Sequence, residues 1–237
     1  MSAPRLHSPS PLVRAGGRLE LGQSAARHAH VLRLAAGDPL VVFDAEGRQA
    51  HARVVSLETT SLSVELGAIT QHAPDAYGPV LVQCVPKGSK LDDVVRAATE
   101  AGASAIHLAL ASRSIARAEG RLDRLARIAE EAARQSEAPR VPAIHAPASL
   151  REVASRAPRT SARVLLSPRA GARLREVIRA DAATPPWLVV GPEGGLDDAE
   201  TDSLLASGYV LGRLDTYVLR TEHAGPIAVA LARELAG

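Results

Sequence analysis

The order of apolar and polar positions divides the chain into two parts with different periods. Up to about Gly67, short apolar runs separated by turn residues predict strands. Helical spacing is confined to Ser24–Leu34, with Ser24 as the expected N-cap. Two apolar runs joined by Ala45–Arg48 predict a hairpin with Gly47 in its turn. Several short strands of this kind favour a small β-barrel.

Beyond Val80 the pattern alternates between strands and helices, which predicts a parallel sheet with helices on its faces, an α/β fold. The polar, turn-rich stretch Ala68–Pro79 separates the two patterns and predicts a linker. We therefore expect a first domain at 1–70, a linker at 71–78 and a second domain at 79–237. The predicted strands are 80–85, 105–111, 163–168, 187–190 and 209–212, and the predicted helices are 90–102, 121–136, one opening at Asp197–Asp198, and 222–236.

Composition adds few constraints on the class of protein. The 237 residues are 46% hydrophobic but only 2% aromatic, so aliphatic side chains must fill the core. Cys84 is the single cysteine and lies in an apolar run, which excludes a disulfide framework and predicts a core residue. The first ten residues lack the apolar segment of a signal peptide, and no run is long enough to span a membrane. We expect a cytoplasmic protein.

Charge is weak overall and uneven along the chain. The formal net charge is +2, and every basic residue except Lys87 and Lys90 is an arginine. The stretch up to Arg33 holds five arginines against the single acid Glu20. Because the neutralisation of phosphate is local, this stretch favours contact with a nucleic acid more than the net charge does.

Three predicted strands end in unusual segments: Leu165–Pro168, Gly191–Gly195 and Leu211–Ala224. Ligands of open parallel sheets bind beyond the carboxyl ends of the strands. The glycine segment lacks the GK[ST] ending of a nucleotide hydrolase and does not fit G-x-G-x-x-G. It could hold a polar heterocycle with its backbone, or form an ordinary turn. Arg220–Glu222 could likewise be functional, or only a helix start with Thr221 as N-cap.

Other catalytic and metal-binding patterns are missing from the sequence. The spacing of His28, His30 and His51 fits no metal site, so no metal is expected. There is no Gly-x-Ser-x-Gly motif, and His223 alone does not establish a general base.

The pairing of "VVGPEGG" at 189–195 with "LRTE" at 219–222 resembles the bacterial 16S ribosomal RNA (uracil-N3) methyltransferases of the RsmE type. These enzymes belong to the SPOUT superfamily of knotted methyltransferases. The segments that start at His30, Pro86 and Ala132 are also similar to segments of that family, so the likeness covers most of the chain.

The resemblance implies a C-terminal SPOUT domain with a deep trefoil knot, an N-terminal PUA-like or OB-like β-barrel that binds RNA, and a homodimer. It also implies S-adenosylmethionine as the methyl donor, held at the three strand ends. The cofactor-binding residues that it implies are Leu165, Leu166, Ser167, Pro168, Gly191, Pro192, Glu193, Gly194, Gly195, Leu211, Gly212, Leu219, Arg220, Thr221 and Ala224.

The activity implied by the resemblance is methylation of N3 of a uridine in 16S ribosomal RNA, in the decoding region near the 3′ end and within the small ribosomal subunit. Arg220 is expected to stabilise negative charge on the base, and Glu222 to accept its proton. The RNA contacts implied are Arg5, Arg33, Lys87, Lys90 and Arg113. Two alternatives stay open: an inactive knotted RNA-binding or ribosome-assembly protein, and a SPOUT methyltransferase with another RNA target.

The chain departs from the family pattern at several positions. His223 replaces a threonine, Gly225–Pro226 enters the last helix early, and Ser112 replaces a glutamate. The segment between Leu211 and Arg220 is longer than usual, so we expect a bulge near Asp215–Tyr217.

Overall fold

The chain folds into two compact units in a computed structural model, which describes residues 3–72, 78–114, 120–178 and 184–236. The first unit contains Met1–Pro74 and Ala133–Val141, and the second contains Asp75–Ala132 and Pro142–Gly237. The segment Ala133–Val141 thus groups with the first unit although it is distant from it in sequence. Residues 73–77 of the predicted linker lie outside the described residues, and the linker stays a prediction.

The first unit is built on a five-stranded sheet and one helix. Its strands β1 to β5 have the order β1-β3-β4-β5-β2, with β1 parallel to β3 and the other pairs antiparallel. Aliphatic side chains from the sheet and the helix form its core, and closure into a barrel stays a prediction. The elements are β1 Arg5–Ser8, β2 Arg18–Leu21, α1 Gln23–Val31, β3 Pro39–Asp44, β4 Arg48–Leu57 and β5 Leu62–Gln71.

The hairpin predicted between β3 and β4 is confirmed. Gly47 lies in its turn with φ +79°, a region that glycine enters without steric cost. The buried carboxylate of Asp44 accepts hydrogen bonds from the amides of Glu46 and Arg48, both at 2.9 Å. The turn is therefore stabilised by the Asp44 side chain as well as by the backbone hydrogen bonds between β3 and β4.

The expectation that Ser24 caps α1 was wrong. The N-cap is Gly22, two residues earlier, and Ser24 lies inside the first turn of the helix. The helix also ends at Val31 rather than at Leu34, because Arg33 adopts a φ of +57° that leaves the right-handed helical region.

The second unit contains a six-stranded sheet in which every pair of neighbouring strands is parallel, as the sequence predicts. Its order is β11-β9-β10-β6-β7-β8, so the chain crosses over repeatedly. The strands are β6 Val80–Cys84, β7 Ala105–Leu110, β8 Ala143–Ser149, β9 Arg163–Leu166, β10 Trp187–Val190 and β11 Val210–Gly212.

The helices that follow β6 in the chain are α2 Lys90–Glu100, α3 Leu122–Gln135, α4 Leu150–Ser155, α5 Leu174–Val177, α6 Asp198–Ala206 and α7 Thr221–Ala236, and the last residues of α3 belong to the first unit. The predicted inner face of α2 is confirmed, since Val94, Val95 and Ala98 are fully buried. Cys84 is also a core residue as predicted, and burial raises the pKa of its thiol to about 12. Within the described part of the chain, no helix has the length and apolar character that crossing a bilayer requires.

Strand β8 and the short helices α4 and α5 were not predicted. Strand β8 is the edge strand beside β7 and carries Pro147, which an edge position tolerates because one side of the strand has no ladder partner. Its side chains are half-buried or exposed, so the strand lacks the continuous apolar run that identifies buried parallel strands.

Candidate functional site

The segments that follow β9, β10 and β11 converge on one cavity of about 850 Å³ in the second unit. The three strands are neighbours in the order β11-β9-β10 and run in the same direction, so their carboxyl ends open at one edge of the sheet. Of the predicted cofactor-binding residues, the cavity is lined by Leu165, Leu166, Ser167, Pro168, Gly191, Pro192, Glu193, Gly194, Gly195, Leu211, Leu219, Arg220, Thr221 and Ala224.

Gly212 is the one member of that predicted set that does not line the cavity. A Cβ at this position would lie 2.6 Å from Cγ1 of Val164, so the glycine permits close packing of β11 on β9. Gly212 therefore contributes to packing rather than to the lining of the cavity. It directly follows Leu211, which does line the cavity.

The glycine segment after β10 is a tight turn tied at both ends. The Gly195 amide donates to the Pro192 carbonyl at 2.8 Å, and Gly195 adopts φ +69°. The Gly194 carbonyl accepts a hydrogen bond from Nη1 of Arg113 at 2.6 Å. These two hydrogen bonds fix the backbone of the glycine segment at the wall of the cavity.

A buried hydrogen-bond chain joins this segment to the start of α7. Nε2 of Gln83 donates to Oγ1 of Thr221 at 3.2 Å, and the Thr221 hydroxyl donates to the Gly191 carbonyl at 2.7 Å. Both side chains are buried. Thr221 is the first residue of α7, so the interpretation as a simple N-cap was wrong: its hydroxyl bonds to another strand end instead.

The departure at Gly225 is explained by the packing of α7 on β6. A Cβ at Gly225 would lie 3.0 Å from Oε1 of Gln83 and 3.2 Å from both Cδ atoms of Leu81. The glycine therefore allows α7 to approach the strand closely enough for the contact between Gln83 and Thr221. His223, the other departure here, is exposed.

Lys90 forms ion pairs with one residue of the glycine segment and one residue of α7. Its Nζ lies 3.0 Å from Oε1 of Glu193 and 3.5 Å from Oε2 of Glu222. Hydrogen bonding to Glu193, with the charges of both acids, raises the pKa of Lys90. The Glu222 side chain is only 10% exposed, and its Oε2 makes no hydrogen bond within the described residues.

Glu193 is the other acid of this group. Partial burial raises the pKa of its carboxyl, but hydrogen bonds from its own amide, from Lys90 and from the Lys87 amide outweigh burial, so the pKa lies below its usual range. Glu193 is thus held ionised against the lysine, with its side chain at the wall of the cavity.

Ser112 supports the start of helix α6. Its hydroxyl lies 2.8 Å from Oδ2 of Asp197 and 3.1 Å from Oε2 of Glu200, and its amide donates to Glu200 at 2.6 Å. Asp197 and Glu200 form the capping box of α6, as predicted for a helix opening there. A hydrogen bond from the Glu200 amide, followed by the one from Ser112, lowers the pKa of Asp197.

The longer segment after β11 forms a bend, as expected, at Asp215–Tyr217. Asp215 is anchored by Nη1 of Arg213 at 3.0 Å and by Nε of Arg173 at 3.7 Å. Arg220 is exposed, and its guanidinium makes no hydrogen bond or ion pair with any residue in the described ranges. Its side chain is thus available at the cavity that it lines.

The predicted RNA contacts divide between the two units. In the second unit, Lys90 and Arg113 line the cavity, and the exposed Lys87 contributes its amide to Glu193. In the first unit, Arg33 is exposed, whereas Arg5 is half-buried: it donates to the Ala138 carbonyl at 3.1 Å, and burial lowers its pKa. These roles stay predictions.

Sequence reasoning missed several residues of the cavity, which are Arg169, Val190, Leu196, Thr201, Leu214, Thr216, Tyr217 and Val218. Most of them directly follow or lie within the three predicted segments, so extending each segment by a few residues could have found them. Among the described residues, no group of three or more His, Cys, Asp or Glu side chains is placed to hold a metal ion.

The chain matches the family model of the RNA methyltransferase domain over residues 77–233. The protein named ribosomal RNA small subunit methyltransferase E of Synechocystis is 32% identical over 207 residues, 84% of this chain and 67% of that protein. Its namesake of Mycobacterium bovis is 31% identical over 217 residues, 88% of this chain and 82% of that protein.

Solved structures have the same fold over nearly the whole chain. The ribosomal RNA small subunit methyltransferase E of Neisseria gonorrhoeae, bound to S-adenosyl methionine, has a TM-score of 0.90 and 26% identity, and the match covers 99% of this chain and 98% of that one. A putative methyltransferase of Legionella pneumophila, 21% identical, gives a TM-score of 0.88 over 99% of this chain and 98% of that one, which supports the fold.

Proposed function

Because the chain belongs to the RNA methyltransferase family of ribosomal RNA small subunit methyltransferase E, we propose that it methylates N3 of a uridine in 16S ribosomal RNA with S-adenosylmethionine. The proposal extends to the decoding region near the 3′ end, within the small subunit. The observation that carries the proposal is the convergence of three strand-end segments on one cavity. Cavities of about 300–1,000 Å³ are typical of small-ligand sites.

The lining of the cavity fits an adenosyl group. Leu165, Leu211 and Leu219 offer apolar contact, and Gly191, Gly194 and Gly195 have no side chain, so a ligand can approach their backbone closely. A flat heterocycle bound between apolar side chains and backbone polar groups would be selected by both its shape and its hydrogen bonds. We therefore assign the binding of S-adenosylmethionine to the predicted residues that line the cavity. Gly212 does not line it, but its close packing on Val164 positions the neighbouring Leu211.

S-adenosylmethionine supplies a methyl group on an electrophilic sulfonium carbon. The chain must then position the uracil ring for in-line attack, which can account for much of the rate. At neutral pH the uracil N3 is mostly protonated, so the proton must leave and the base must carry negative charge. Arg220 is assigned to stabilise that charge, since its guanidinium is exposed at the cavity and has no partner in the described part of the chain.

Glu222 is assigned to accept the N3 proton. Its Oε2 is buried beside the cavity without a hydrogen bond among the described residues, and Lys90 lies 3.5 Å away. The ammonium of Lys90 holds this carboxylate in place at the wall of the cavity. Lys90 is thus a positioning residue for both acids in this proposal, in addition to any contact with RNA.

The finer features of the fold belong to the same proposal. We expect the crossovers among β9, β10 and β11 to form the deep trefoil knot, the first unit to close as a PUA-like RNA-binding barrel, and two chains to form a homodimer. The repeated crossovers of the six-stranded sheet support the knot. Arg5 and Arg33 would contribute the RNA contacts of the first unit.

Calorimetric titration with S-adenosylmethionine is the first test. We expect saturable binding that is lost in Gly194→Trp, where the new side chain would press against Arg113 at the wall of the cavity, and kept in Gly171→Ala, an exposed glycine with open space around it. If the unaltered chain does not bind S-adenosylmethionine, the proposal of a methyltransferase is rejected, and the alternative of an inactive RNA-binding protein is favoured.

The target base is tested by mass mapping. Ribosomal RNA from a strain lacking the gene is incubated with the purified protein and labelled donor, as naked RNA and as assembled small subunits. We expect one additional methyl group on a uridine near the 3′ end of 16S RNA. Methylation of a ribose hydroxyl, or of another RNA alone, would replace the uridine assignment with a different target.

A further inference from the structure

Tyr217 is an unusual residue because aromatic side chains are scarce in the sequence and, within the described ranges, the other tyrosine, tryptophan and phenylalanine side chains are buried. The sequence has one tryptophan, one phenylalanine and three tyrosines. Of the four in the described ranges, Phe43, Trp187 and Tyr209 are at most 7% exposed, whereas Tyr217 is 95% exposed. A side chain of this size gains nothing for folding by facing solvent.

The position of Tyr217 is at the mouth of the cavity, where it contributes to the lining together with the neighbouring Val218, itself 81% exposed. The bend that carries it is anchored at its first residue, Asp215, which pairs with Arg213 and Arg173. The hydrogen bond from Arg213, and then the charge of Arg173, hold the pKa of Asp215 below its usual range, so the anchor stays ionised. The ring therefore projects from a segment that is tied to the sheet edge.

The surroundings of Tyr217 are strongly basic. Arg169 and Arg220 line the same cavity, and Arg173, Arg175 and Arg213 lie around Asp215. We call four of them, Arg169, Arg173, Arg175 and Arg213, the arginine cluster, since Arg220 is assigned to the reacting base. An exposed aromatic ring within a group of arginines is the combination with which proteins bind unpaired nucleotides: the ring stacks on a base and the arginines contact the phosphates.

We infer that Tyr217 stacks on an unpaired nucleobase of the RNA, beside the base that is methylated, while the arginine cluster holds the adjoining phosphates. This inference rests on the proposed function, because it takes the cavity as the place of methyl transfer. It assigns a second RNA-contacting surface, in the second unit, to a segment that is longer here than in the family pattern. The occupant is single-stranded RNA rather than a protein.

Three substitutions separate stacking from simple apolar contact. Tyr217→Phe keeps the ring, Tyr217→Leu keeps apolar area without a ring face, and Tyr217→Ala removes both. The exposed Leu205 on α6, changed to alanine, is the matched control for loss of a surface apolar side chain. Since Tyr217 is 95% exposed, none of the three Tyr217 substitutions should alter the urea midpoint of unfolding.

Binding is measured by fluorescence anisotropy with a labelled single-stranded oligouridine at low salt. We expect Tyr217→Leu and Tyr217→Ala to weaken binding about tenfold, and Tyr217→Phe and Leu205→Ala to bind as the unaltered chain does. With a 2-aminopurine base in the oligonucleotide, fluorescence should be quenched by the chain with Tyr or Phe and not with Leu. Equal affinity across the three Tyr217 variants would overturn the inference.

Two further measurements test other roles for Tyr217, in donor binding and in a contact between copies of the chain. If the Tyr217 variants lose S-adenosylmethionine affinity by the same factor, the ring belongs to the donor site and the inference is overturned. If sedimentation shows that the Tyr217 variants change the oligomeric state, the surface around Tyr217 is a contact between two copies of the chain. That result would also overturn the inference. Failure of the unaltered chain to bind the donor or methylate RNA would instead reject the proposed function, and the oligouridine result would stand separately.

Discussion

The hydroxyl of Thr221 donates a hydrogen bond to the carbonyl of Gly191 at 2.7 Å, across 30 residues of sequence. One atom thus ties the turn after β10 to the first residue of α7. Gln83 adds a third element, because its amide donates to the same hydroxyl from β6. The relative position of two walls of the cavity depends on this buried side chain.

We expect Thr221→Val to lower the free energy of unfolding by about 1–3 kcal/mol, because the change leaves polar groups of Gly191 and Gln83 without their partner. Donor affinity should fall as well, since the glycine segment loses its attachment to α7. Urea unfolding and calorimetry measure the two effects. Thr221→Ser, which keeps the hydroxyl, is the control and should stay close to the unaltered chain; equal loss in both variants would contradict the role of this bond.

Arg220→Ala should lower the rate of RNA methylation about 100-fold while donor affinity changes little, because the guanidinium is assigned to charge that develops only during the reaction. Single-turnover kinetics with saturating donor measure the rate. Arg127→Ala removes an exposed arginine from α3 and controls for the loss of general attraction to RNA. A normal rate in Arg220→Ala would refute the assignment.

Lys90→Met should weaken donor binding severalfold, because Glu193 and Glu222 would then repel each other without the ammonium between them. Lys90→Arg keeps a cation and should recover much of the affinity. Calorimetry at low and at high salt makes the comparison. Equal affinity in the methionine variant would mean that the ion pairs do not hold the glycine segment.

Gly212→Ala should destabilise the second unit by about 1–3 kcal/mol, because the new Cβ would overlap Cγ1 of Val164 and force β11 away from β9. Urea unfolding measures this loss. Gly171→Ala has open space around it and serves as the matched control. Donor affinity should fall in the first variant only, since Leu211 lines the cavity next to this contact.

His107 should make the protein less stable in acid. Its ring is buried, stacked on His145 with centroids 3.9 Å apart, and burial followed by the charges of His145 and Arg156 lowers its pKa from 6.5 to about 4. Between these two pH values the unfolded chain binds a proton that the folded chain does not. Stability should therefore decrease as pH falls from about 6.5 to about 4, by about 1–3 kcal/mol.

The measurement for this prediction is urea unfolding at pH 7.5, 6.0 and 4.5. His107→Asn cannot titrate in this range, so its stability should depend less on pH even if it is lower throughout. Burial also lowers the pKa of His145, so part of the dependence should persist. An identical slope for His107→Asn and the unaltered chain would show that acid destabilises the protein through other groups.

The alternation of strands and helices beyond Val80 was readable from the sequence because it depends on local periods. The buried parallel strands are mostly apolar runs, and α2 repeats its apolar positions at helical spacing. The three segments that line the cavity were identified for the same reason, since each lies at the end of such a run. Strand β8 was missed because, at the edge of the sheet, it needs no apolar run.

The tertiary structure alone decided which of those segments meet and through which atoms. The strand order places β9 between β11 and β10, although β10 follows β9 in sequence and β11 follows β10. Gln83 contacts Thr221 over 138 residues, and Lys90 contacts Glu193 over 103. A local pattern reports which side of an element is buried, but not which distant element buries it, because that depends on the free energy of packing the whole chain.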